Sequence, residues 1–381
     1  LWFYFNTLSP VSFIAHIFLL EIIEFLVIIG FFSTLVGFIS FDLAAIFHNI
    51  SLTAMKVMTN IVTILEMIPF GNFYTKTPSI IILLLCYIII ILSISKLKYK
   101  KKIIITCLGA GLLIITLEQG LAKKTNITFL DVGQGDAAVI ETHDNKVIMI
   151  DTGPRRYVNA QQPYYDVAKT VILPFLRKKG INKIDILFIT HFDLDHYGGL
   201  LRLADSIKIK LIAHNGNGYK YPWFKRLTEK YHIKTQEIKQ NDVITLNKEF
   251  SLICLNPPKR DINALKKNNA SLVLKAVIND KSILFTGDIH QKIEKELIFT
   301  HNEFLKSDIL KVAHHGSKSS SSIEFLQSVN PNTCIISAGI NNRYGHPNKD
   351  ILNRLHTYCN QVISTQDYGA IDQIINNNKL W

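Results

Sequence analysis

The sequence predicts an α/β fold, in which two mixed sheets flanked by helices form an αββα sandwich, preceded by transmembrane helices. Two observations support this prediction. Apolar residues are concentrated before residue 120, and short apolar segments alternate with helix-like segments after it. We therefore expect two domains, with membrane helices in residues 1–120 and the α/β sandwich in residues 121–381.

Three apolar stretches predict the membrane spans: Phe25–Ile39, Ser79–Ile94 and Ile103–Leu117. A span needs about 20 residues. The first stretch extends N-terminally past Glu24 and Glu21, whereas the last two require flanking residues to cross a bilayer. Between the first two stretches, Leu43–Ile68 has the mixed periodicity of a helix that lies at the interface or packs on other membrane segments.

The loop Lys96–Lys102 indicates the orientation of these spans. It carries five lysines between two candidate spans, and cytoplasmic loops collect Lys and Arg. The next span would then deliver everything after Lys124 to the outer face. We predict a multi-pass protein of the cell inner membrane whose C-terminal domain is extracytoplasmic. Because the chain begins at Leu1 without an initiator Met or a cleavable signal, we expect a C-terminal fragment of a longer protein.

Ten short apolar segments predict the strands of the two sheets, and four helix-like segments lie among them. Polar residues at 143–146 and 279–280 predict two hairpin turns. The predicted strands are Ile127–Val132, Ala137–Thr142, Lys146–Asp151, Ile184–Thr190, Ile207–His214, Phe250–Leu255, Ser271–Ile278, Lys281–Phe285, Asp308–Ala313 and Thr333–Ser337. The predicted helices are Tyr165–Lys179, Gly199–Asp205, Gln291–Phe299 and Asp350–Tyr358.

A run of potential metal ligands follows the predicted strand at 184–190. The run holds His191, Asp193, Asp195 and His196 within six residues. A lone histidine or aspartate is usually a solvated surface residue, but metal sites draw on clusters of these types. Ligands placed just past the end of a buried strand point out of the sheet edge into a cleft.

Two later strands end in the same way. Thr286-Gly287-Asp288 closes the strand at 281–285, and His314-His315-Gly316-Ser317 closes the strand at 308–313. The sequence therefore predicts a metal site at one edge of the sheets, where the loops after several strands meet. Its predicted ligands are His191, Asp193, Asp195, His196, Asp288 and His314.

These motifs, in their order and spacing, resemble those of the metallo-β-lactamase superfamily and, within it, the ComEC family of competence DNA-uptake channels. The resemblance runs from about Asn126 to the C-terminus, and the first third is similar to the membrane helices that precede this domain in that family. The motifs are Phe129–Ala137, Asp151–Gly153, His191–His196, Thr286–Asp288, Ala313–Lys318 and Asn342–Pro347.

The resemblance implies a metallo-β-lactamase-like αββα sandwich and a membrane-tethered nuclease that degrades the non-imported DNA strand during natural transformation. Its expected partners are DNA, with a single strand favoured, the membrane, the missing N-terminal channel segments and other competence proteins. The oligomeric state stays open.

Two divalent ions could clamp a phosphodiester and generate hydroxide from bound water. We assign His191 and Asp193 mainly to one ion, and Asp195 and His196 mainly to the other. Asp288 would bridge both ions, and His314 would join the shell. Of the expected catalytic residues, Asp195 would orient the attacking water. His315, Ser317 and Lys318 would contact the phosphate or protonate the leaving group. His346 is a further candidate acid or ligand.

This chain departs from the superfamily pattern at three places. It has Asp193 where the superfamily has histidine, Asn268-Asn269 where a further histidine would precede the Thr-Gly-Asp strand, and Ser337-Ala338-Gly339 where another would follow a strand. Carboxylate and amide in place of imidazole favour Mn²⁺, with Zn²⁺ or Mg²⁺ as alternatives. His214 and His232 are expected in surface loops. Asp131, Asp136 and Asp151 are expected to shape loops or to support the ligands.

The chain is basic, with a formal net charge of +12. A basic surface favours polyanions, because Lys and Arg release counterions when they neutralise phosphates. Aromatic and basic residues are interleaved from Tyr219 to Arg226, which suits single-stranded nucleic acid; a general bias toward Lys would produce the same pattern. The five cysteines are widely spaced, so no disulfide framework is expected.

Two other functions stay open. The domain could bind DNA and guide it into a pore with a catalytically weak metal site. It could also hydrolyse small esters, thioesters or lactones on the same scaffold, although the basic surplus and the missing histidines count against this.

Overall fold

The computed structural model describes residues 2–68, 71, 73–120, 124–157, 163–259, 265 and 267–376. The chain divides into two compact units, Leu1–Leu83 with Arg177–Gly180, and Leu84–Leu176 with Ile181–Trp381. The boundary predicted at residue 120 stays a prediction.

The first unit is helical. Pro10–Gly37 begins after Ser9, whose side chain accepts a hydrogen bond from the backbone N–H of Ser12, and proline suits the first helical turn. Phe41–Glu66 begins after Ser40 in the same manner and includes most of the predicted amphipathic segment. The unit also contains the helix Trp2–Phe5 and the paired strands Thr7–Leu8 and Phe73–Tyr74.

Within the described residues, Pro10–Gly37 is the one helix long and apolar enough to cross a membrane. The other two predicted spans also form helices, Ile80–Ile94 and Lys100–Gly120. Ile80–Ile94 is apolar but has 15 residues, which is short of the ~20 that a bilayer core requires. A multi-pass arrangement and its orientation therefore stay predictions.

The first large sheet has seven strands and mixed pairing. Four consecutive strands in its spatial order are parallel, and the others are antiparallel. From one edge to the other, the strands are Lys234–Glu237, Lys208–His214, Lys183–Ile189, Val147–Ile150, Ala138–Glu141, Lys124–Phe129 and Ile371–Asn376.

The second large sheet also has seven strands. Its first four strands pair antiparallel, and its last four strands are parallel. In spatial order the strands are Val243–Asn247, Phe250–Asn256, Val273–Ile278, Lys281–Phe285, Ile309–Lys311, Thr333–Ile336 and Gln361–Ser364.

Alternating side chains along the strands create three apolar clusters and therefore four layers. The central cluster lies between the sheets, where the rings of Phe129 and Phe285 stack 5.7 Å apart. Helix Leu200–Ser206 packs on the outer face of the first sheet. Helix Gln291–His301 packs on the outer face of the second sheet. The metallo-β-lactamase-like αββα sandwich that the sequence predicts is confirmed.

The remaining elements connect these layers. Strands Arg155–Tyr157 and Pro163–Asp166 form a small hairpin. The α-helices are Leu173–Lys179, Leu194–Tyr197, Pro222–Lys230, Ile323–Val329, Lys349–Tyr358 and Thr365–Tyr368, and Ala168–Ile172 is a π-helix. Short 3₁₀ turns occur at Asn217–Lys220, Asn268–Ala270, Asn302–Leu305 and Ala313–Gly316.

Each predicted strand is present, Lys281–Phe285 with the predicted ends and the others with somewhat different ends, but the predicted helix Tyr165–Lys179 is wrong at its start. Tyr165 and Asp166 belong to a strand, and helical structure begins only at Val167. The Asp166 carboxylate accepts a hydrogen bond from the backbone N–H of Lys169. An aspartate in this position favours a helix start rather than a helix interior.

The sequence predicts no disulfide framework, and among the described residues the structure contains one disulfide that the spacing does not reveal. Cys334 and Cys359 are bonded, with their Cα atoms 6.0 Å apart. The partners are separated by 25 residues and follow no spacing pattern. The parallel pairing of strand Thr333–Ile336 with strand Gln361–Ser364 places Cys359, which precedes the second strand, beside the first.

Candidate metal centre

The predicted ligands lie at one end of the sandwich, where loops from both sheets meet. His191 follows strand Lys183–Ile189 of the first sheet, and Asp288 follows strand Lys281–Phe285 of the second. His315 follows the short strand at 309–311, which is parallel to its neighbour. Because parallel strands end at the same edge of a sheet, these three residues emerge together.

Four residues, Asp195, His196, Asp288 and His315, form a compact set that we call the inner group. Each offers one nitrogen or oxygen, and these atoms lie within 4.8 Å of one another. Asp288 Oδ2 lies 3.3 Å from His196 Nε2 and 3.6 Å from His315 Nε2. Asp195 Oδ2 lies 3.6 Å from His315 Nε2. All but Asp195 are buried.

The inner group fits a divalent cation. Among the described residues, the Nε2 atoms of His191, His196 and His315 and Oδ1 of Asp288 are buried without a hydrogen-bond partner. A buried polar atom left unsatisfied costs about 1–3 kcal/mol. Three of these atoms, from His196, His315 and Asp288, belong to the inner group, and imidazole nitrogens with carboxylate oxygens are donors that a transition-metal ion prefers.

Buried carboxylates orient two of these imidazoles from behind. His196 Nδ1 donates to Asp151 Oδ2 at 2.8 Å, and Asp151 also accepts from the backbone N–H and the hydroxyl of Thr190. His315 Nδ1 donates to the Ser337 carbonyl at 2.9 Å and lies 3.3 Å from Asp136 Oδ1. Each contact turns Nε2 toward the centre, as partners behind metal-bound histidines do.

Asp136 has a further buried partner that sequence reasoning missed. Lys311 Nζ lies 2.7 Å from Asp136 Oδ2, and both side chains are almost fully buried. Lysine is almost never fully buried unless it is paired. The signal was present in the sequence, because Lys311 interrupts the apolar strand predicted at 308–313.

The carboxylates within the inner group and those that contact it, Asp151 and Asp136, determine its protonation. Burial lowers the pKa of His196, but Asp288 and Asp151 outweigh burial and hold that pKa well above its usual value. The same balance raises the pKa of His315 to about 10, with Asp288 and Asp136 as the partners. Burial would raise the pKa of Asp288, yet His196 and His315 keep it well below normal. The site therefore favours bound positive charge.

Asp193, Lys267, Asn268 and His314 lie beside the inner group, and we call them the outer group. Lys267 Nζ pairs with Asp193 Oδ1 at 3.3 Å. Asn268 Nδ2 lies 3.5 Å from His314 Nε2. The side chain of Asp193 is 30% exposed and that of Lys267 is 66% exposed. Lys267 gave no signal in the sequence, since it belongs to a polar segment remote from the other ligands.

His191 lies between the two groups. Its Nε2 is 4.0 Å from Asp288 Oδ2 and 3.7 Å from Asp193 Oδ2. His314 is similarly shared, because its Nε2 is 3.8 Å from Asp288 Oδ2. The structure thus brings all six predicted ligands together, and it adds His315 as a seventh candidate.

The other predicted catalytic residues lie at the margin of the site. The Ser317 hydroxyl contacts the Ser319 hydroxyl at 3.1 Å, which lies 3.4 Å from His314 Nδ1. Lys318 is exposed and its Nζ lies 3.7 Å from an Asp350 oxygen. The ring centroid of His346 lies 5.7 Å from that of His314.

His346 is half-buried, and its Nδ1 lies 3.4 Å from Gln134 Nε2. Burial, with the neighbouring His315 and His314, lowers its pKa to about 4. Among the supporting aspartates, Asp131 accepts from the backbone N–H of Gly133 and so shapes its own loop.

The expectation that His214 lies in a surface loop is wrong, whereas His232 is exposed in a turn. His214 is fully buried at the end of strand Lys208–His214. The rings of Phe192, Tyr219 and Phe224 surround it edge-to-face, and burial lowers its pKa to about 4. Its apolar neighbours lie far apart in the sequence, so only the fold reveals this environment.

Comparison with known protein families agrees with this architecture. The family model described as "Metallo-beta-lactamase superfamily" matches residues 130–339, and the one described as "Competence protein" matches residues 1–100. These matches confirm the resemblance inferred from the motifs. The chain therefore combines a competence-protein segment with a metallo-β-lactamase domain, a fold that implies divalent-metal binding.

ComE operon protein 3 of Bacillus subtilis (strain 168) is 33% identical over 262 residues, which cover 66% of this chain and 33% of that protein. Competence protein ComA of Neisseria gonorrhoeae is 29% identical over 249 residues, which cover 65% of this chain and 32% of that protein. The chain spans about a third of the length of these curated relatives. Among solved structures, Igni18, a metallo hydrolase from Ignicoccus hospitalis, matches with 13% identity and a TM-score of 0.42, covering 66% of this chain and 100% of that one.

Proposed function

The chain belongs to the metallo-β-lactamase superfamily, and we propose that it is a membrane-tethered, metal-dependent deoxyribonuclease of a DNA-uptake channel. In this proposal it hydrolyses phosphodiesters of the strand that is not imported during natural transformation. The observation that carries the proposal is the inner group, where buried, unpartnered imidazole and carboxylate atoms converge. The names of the matched competence proteins and the basic charge of the chain support DNA as the substrate.

The inner group would hold one divalent ion through Asp195, His196, Asp288 and His315. A second ion would take His191, Asp193 and His314, with Asp288 shared. Divalent ions supply a hydroxide at neutral pH and neutralise the charge that develops on the phosphate. The carboxylate and the amide of the outer group favour Mn²⁺, with Zn²⁺ or Mg²⁺ as alternatives.

The chain's own residues would position the substrate around these ligands. Asp195 is the most exposed member of the inner group, with 32% of its side chain accessible, so it can reach a water molecule on the open side. Ser317 and Lys318 at the margin would contact the phosphate. His346 would face the leaving group and exchange a proton with it.

We further propose that the hydrolase domain occupies residues 121–381 and lies outside the cytoplasm on a multi-pass anchor. The lysine-rich loop Lys96–Lys102 supports this orientation. The bond between Cys334 and Cys359 adds independent support, since disulfides persist in oxidising compartments.

The test is cleavage of DNA by the full chain purified in detergent. Single-stranded and duplex DNA are incubated with Mn²⁺, Mg²⁺ or Zn²⁺, beside the variant Asp195→Asn and the control Asp205→Asn, whose carboxyl is on the surface. We expect metal-dependent cleavage by the wild type and the control, and loss of cleavage in Asp195→Asn.

Three results would redirect the proposal. Binding of DNA without cleavage in any metal would identify a binding and transport module. Cleavage by Asp195→Asn at the wild-type rate would show that the site is assigned wrongly. Hydrolysis of small esters or lactones in preference to DNA would identify a small-molecule hydrolase.

A further inference from the structure

A cavity of about 480 Å³ adjoins the inner group and takes no part in the metal site. Its volume lies in the range of ligand-binding pockets, ~300–1,000 Å³. We call it the flanking pocket. Its lining is aromatic, aliphatic and basic, and includes Leu194, Tyr197, Leu201, Trp223, Arg226 and Lys230.

The short helix Leu194–Tyr197 separates the flanking pocket from the metal centre. Residues three apart on a helix share a face, so Leu194 and Tyr197 line the pocket together. Asp195 and His196, between them in sequence, belong to the inner group. The distance across a helix is about 10 Å. A polymeric substrate that is cleaved at the metal centre can therefore also extend into the flanking pocket.

The pocket presents an aromatic and apolar wall to solvent. The rings of Tyr197 and Trp223 stack with their centroids 5.0 Å apart and their planes 22° apart. Leu194 and Leu201 are 49% and 48% exposed. A concave surface of this kind suits a flat ligand that buries apolar area against rings.

The rim of the pocket is positively charged. Arg226 and Lys230 in its lining are exposed, whereas Arg155 is largely buried and pairs with Asp166 at 3.6 Å; the lining contains no aspartate or glutamate. Arg226 and Lys230 are one helical turn apart on helix Pro222–Lys230. Arg226 is exposed and makes no ion pair with any residue that the structure describes, whereas Lys225 beside it pairs with Glu229 at 3.9 Å.

We propose that the flanking pocket binds one nucleotide of a DNA single strand whose neighbouring phosphodiester lies at the metal centre. The base would pack against Tyr197 and Trp223, and its phosphates would contact Arg226 and Lys230. Aromatic rings for bases together with cations for the backbone are the pattern of single-strand binding. A paired and stacked base in a duplex cannot enter the pocket. This inference rests on the proposed nuclease function and adds that the site selects single-stranded DNA.

The first experiment measures the affinity of the full chain in detergent for a fluorescein-labelled oligodeoxythymidine, by anisotropy and with EDTA present to prevent cleavage. Arg226→Glu reverses the charge at this position of the rim, and Leu201→Trp fills the pocket without changing charge. Lys225→Glu is the matched control, since it makes the same charge change one residue away. We expect each pocket variant to weaken binding about tenfold or more and the control about twofold or less.

A second experiment uses Trp223 as a reporter. The chain has three tryptophans, at positions 2, 223 and 381, so Trp2→Phe and Trp381→Phe leave a single signal from the pocket. Oligodeoxythymidine should quench this fluorescence, and inorganic polyphosphate should not, because it has no bases. Equal competition by polyphosphate and oligonucleotide would overturn the base-binding part of the inference.

The outcomes separate this inference from the proposed function. If the wild type binds and cuts DNA but Arg226→Glu and Lys225→Glu weaken binding equally and Leu201→Trp has no effect, the pocket is not a nucleotide site and the nuclease proposal stands. If duplex binds as tightly as single strand and loses affinity in the same variants, single-strand selection is wrong. If the wild type neither binds nor cuts DNA, both proposals fail.

Discussion

The inner and outer groups of the metal centre use similar residue types in different environments. In the inner group, His196 and His315 each have a buried carboxylate behind them, Asp151 and Asp136. In the outer group, Asp193 is half-exposed and pairs with the exposed ammonium of Lys267. The comparison teaches that the same ligand types can be held differently, because buried carboxylates orient the inner imidazoles while solvent and the Lys267 ammonium compete for the Asp193 carboxylate. We therefore expect the inner group to bind a metal ion more tightly than the outer group.

The largest expected effect is that of Asp288→Asn. The Asp288 carboxylate lies within 4.0 Å of Nε2 of His191, His196, His314 and His315. Its negative charge therefore acts on imidazoles of both the inner and the outer group. Removing its charge should abolish stable metal binding and lower cleavage on the order of a thousandfold or more. Elemental analysis after dialysis measures the metal, and Asp280→Asn in an exposed hairpin turn is the control. A variant that keeps its full metal content would show that Asp288 is not central.

The second effect concerns the buried pair behind His315. Lys311→Met leaves the Asp136 carboxylate buried without its ammonium partner, which typically costs about 3–5 kcal/mol of folding free energy. Lys281→Met is a matched control, because Lys281 pairs with Asp308 at the surface and such pairs contribute about 0–1 kcal/mol. Denaturant unfolding of both variants in detergent measures the difference.

A double variant sharpens this test. Adding Asp136→Asn to Lys311→Met removes the unpaired charge and should recover part of the lost stability. Equal stability of Lys311→Met and Lys281→Met would mean that the buried pair does not support the inner group.

The sequence predicts the strands well where both faces are buried and poorly at the sheet edges. Phe250–Asn256 and Val273–Ile278 are apolar on both faces and were predicted. The edge strands Lys234–Glu237 and Gln361–Ser364 were missed. Edge strands carry polar and charged residues that prevent unwanted pairing, so hydrophobic periodicity does not reveal them.

The site follows the same logic. Its ligands were predictable because each comes directly after a strand, and loops at one edge must meet. The supporting role expected for Asp136 and Asp151 agrees with their contacts to His315 and His196. The position of Lys267 was not predictable, since it meets Asp193 across 74 residues and depends on loop conformation.

The third effect tests the support behind His196. Asp151→Asn keeps the shape of the side chain but replaces the carboxylate that accepts from His196 Nδ1. Asp151 has a φ of +60°, and asparagine tolerates this left-handed conformation. Backbone strain therefore does not contribute to the change in metal affinity. Loss of such a partner typically costs about 10–100-fold in metal affinity.

Competition with a metal-binding dye measures this affinity in the full chain. Asp131→Asn is the control, because Asp131 contacts the backbone of its own loop, and its affinity should match the wild type. Wild-type affinity in Asp151→Asn would mean that the buried carboxylate does not distinguish the inner group from the outer.

The smallest effect should come from Lys267→Ala in the outer group. The pair with Asp193 is largely exposed, so it contributes about 0–1 kcal/mol and a cation can displace the ammonium. Removing Lys267 should leave the tighter Mn²⁺ affinity unchanged and strengthen a second, weaker Mn²⁺ binding event by about two- to fivefold. Calorimetric titration of the full chain separates the two events, with Lys259→Ala as an exposed control. A tenfold change in the tighter event would instead mean that Lys267 acts on the inner group and that the two groups are one electrostatic unit.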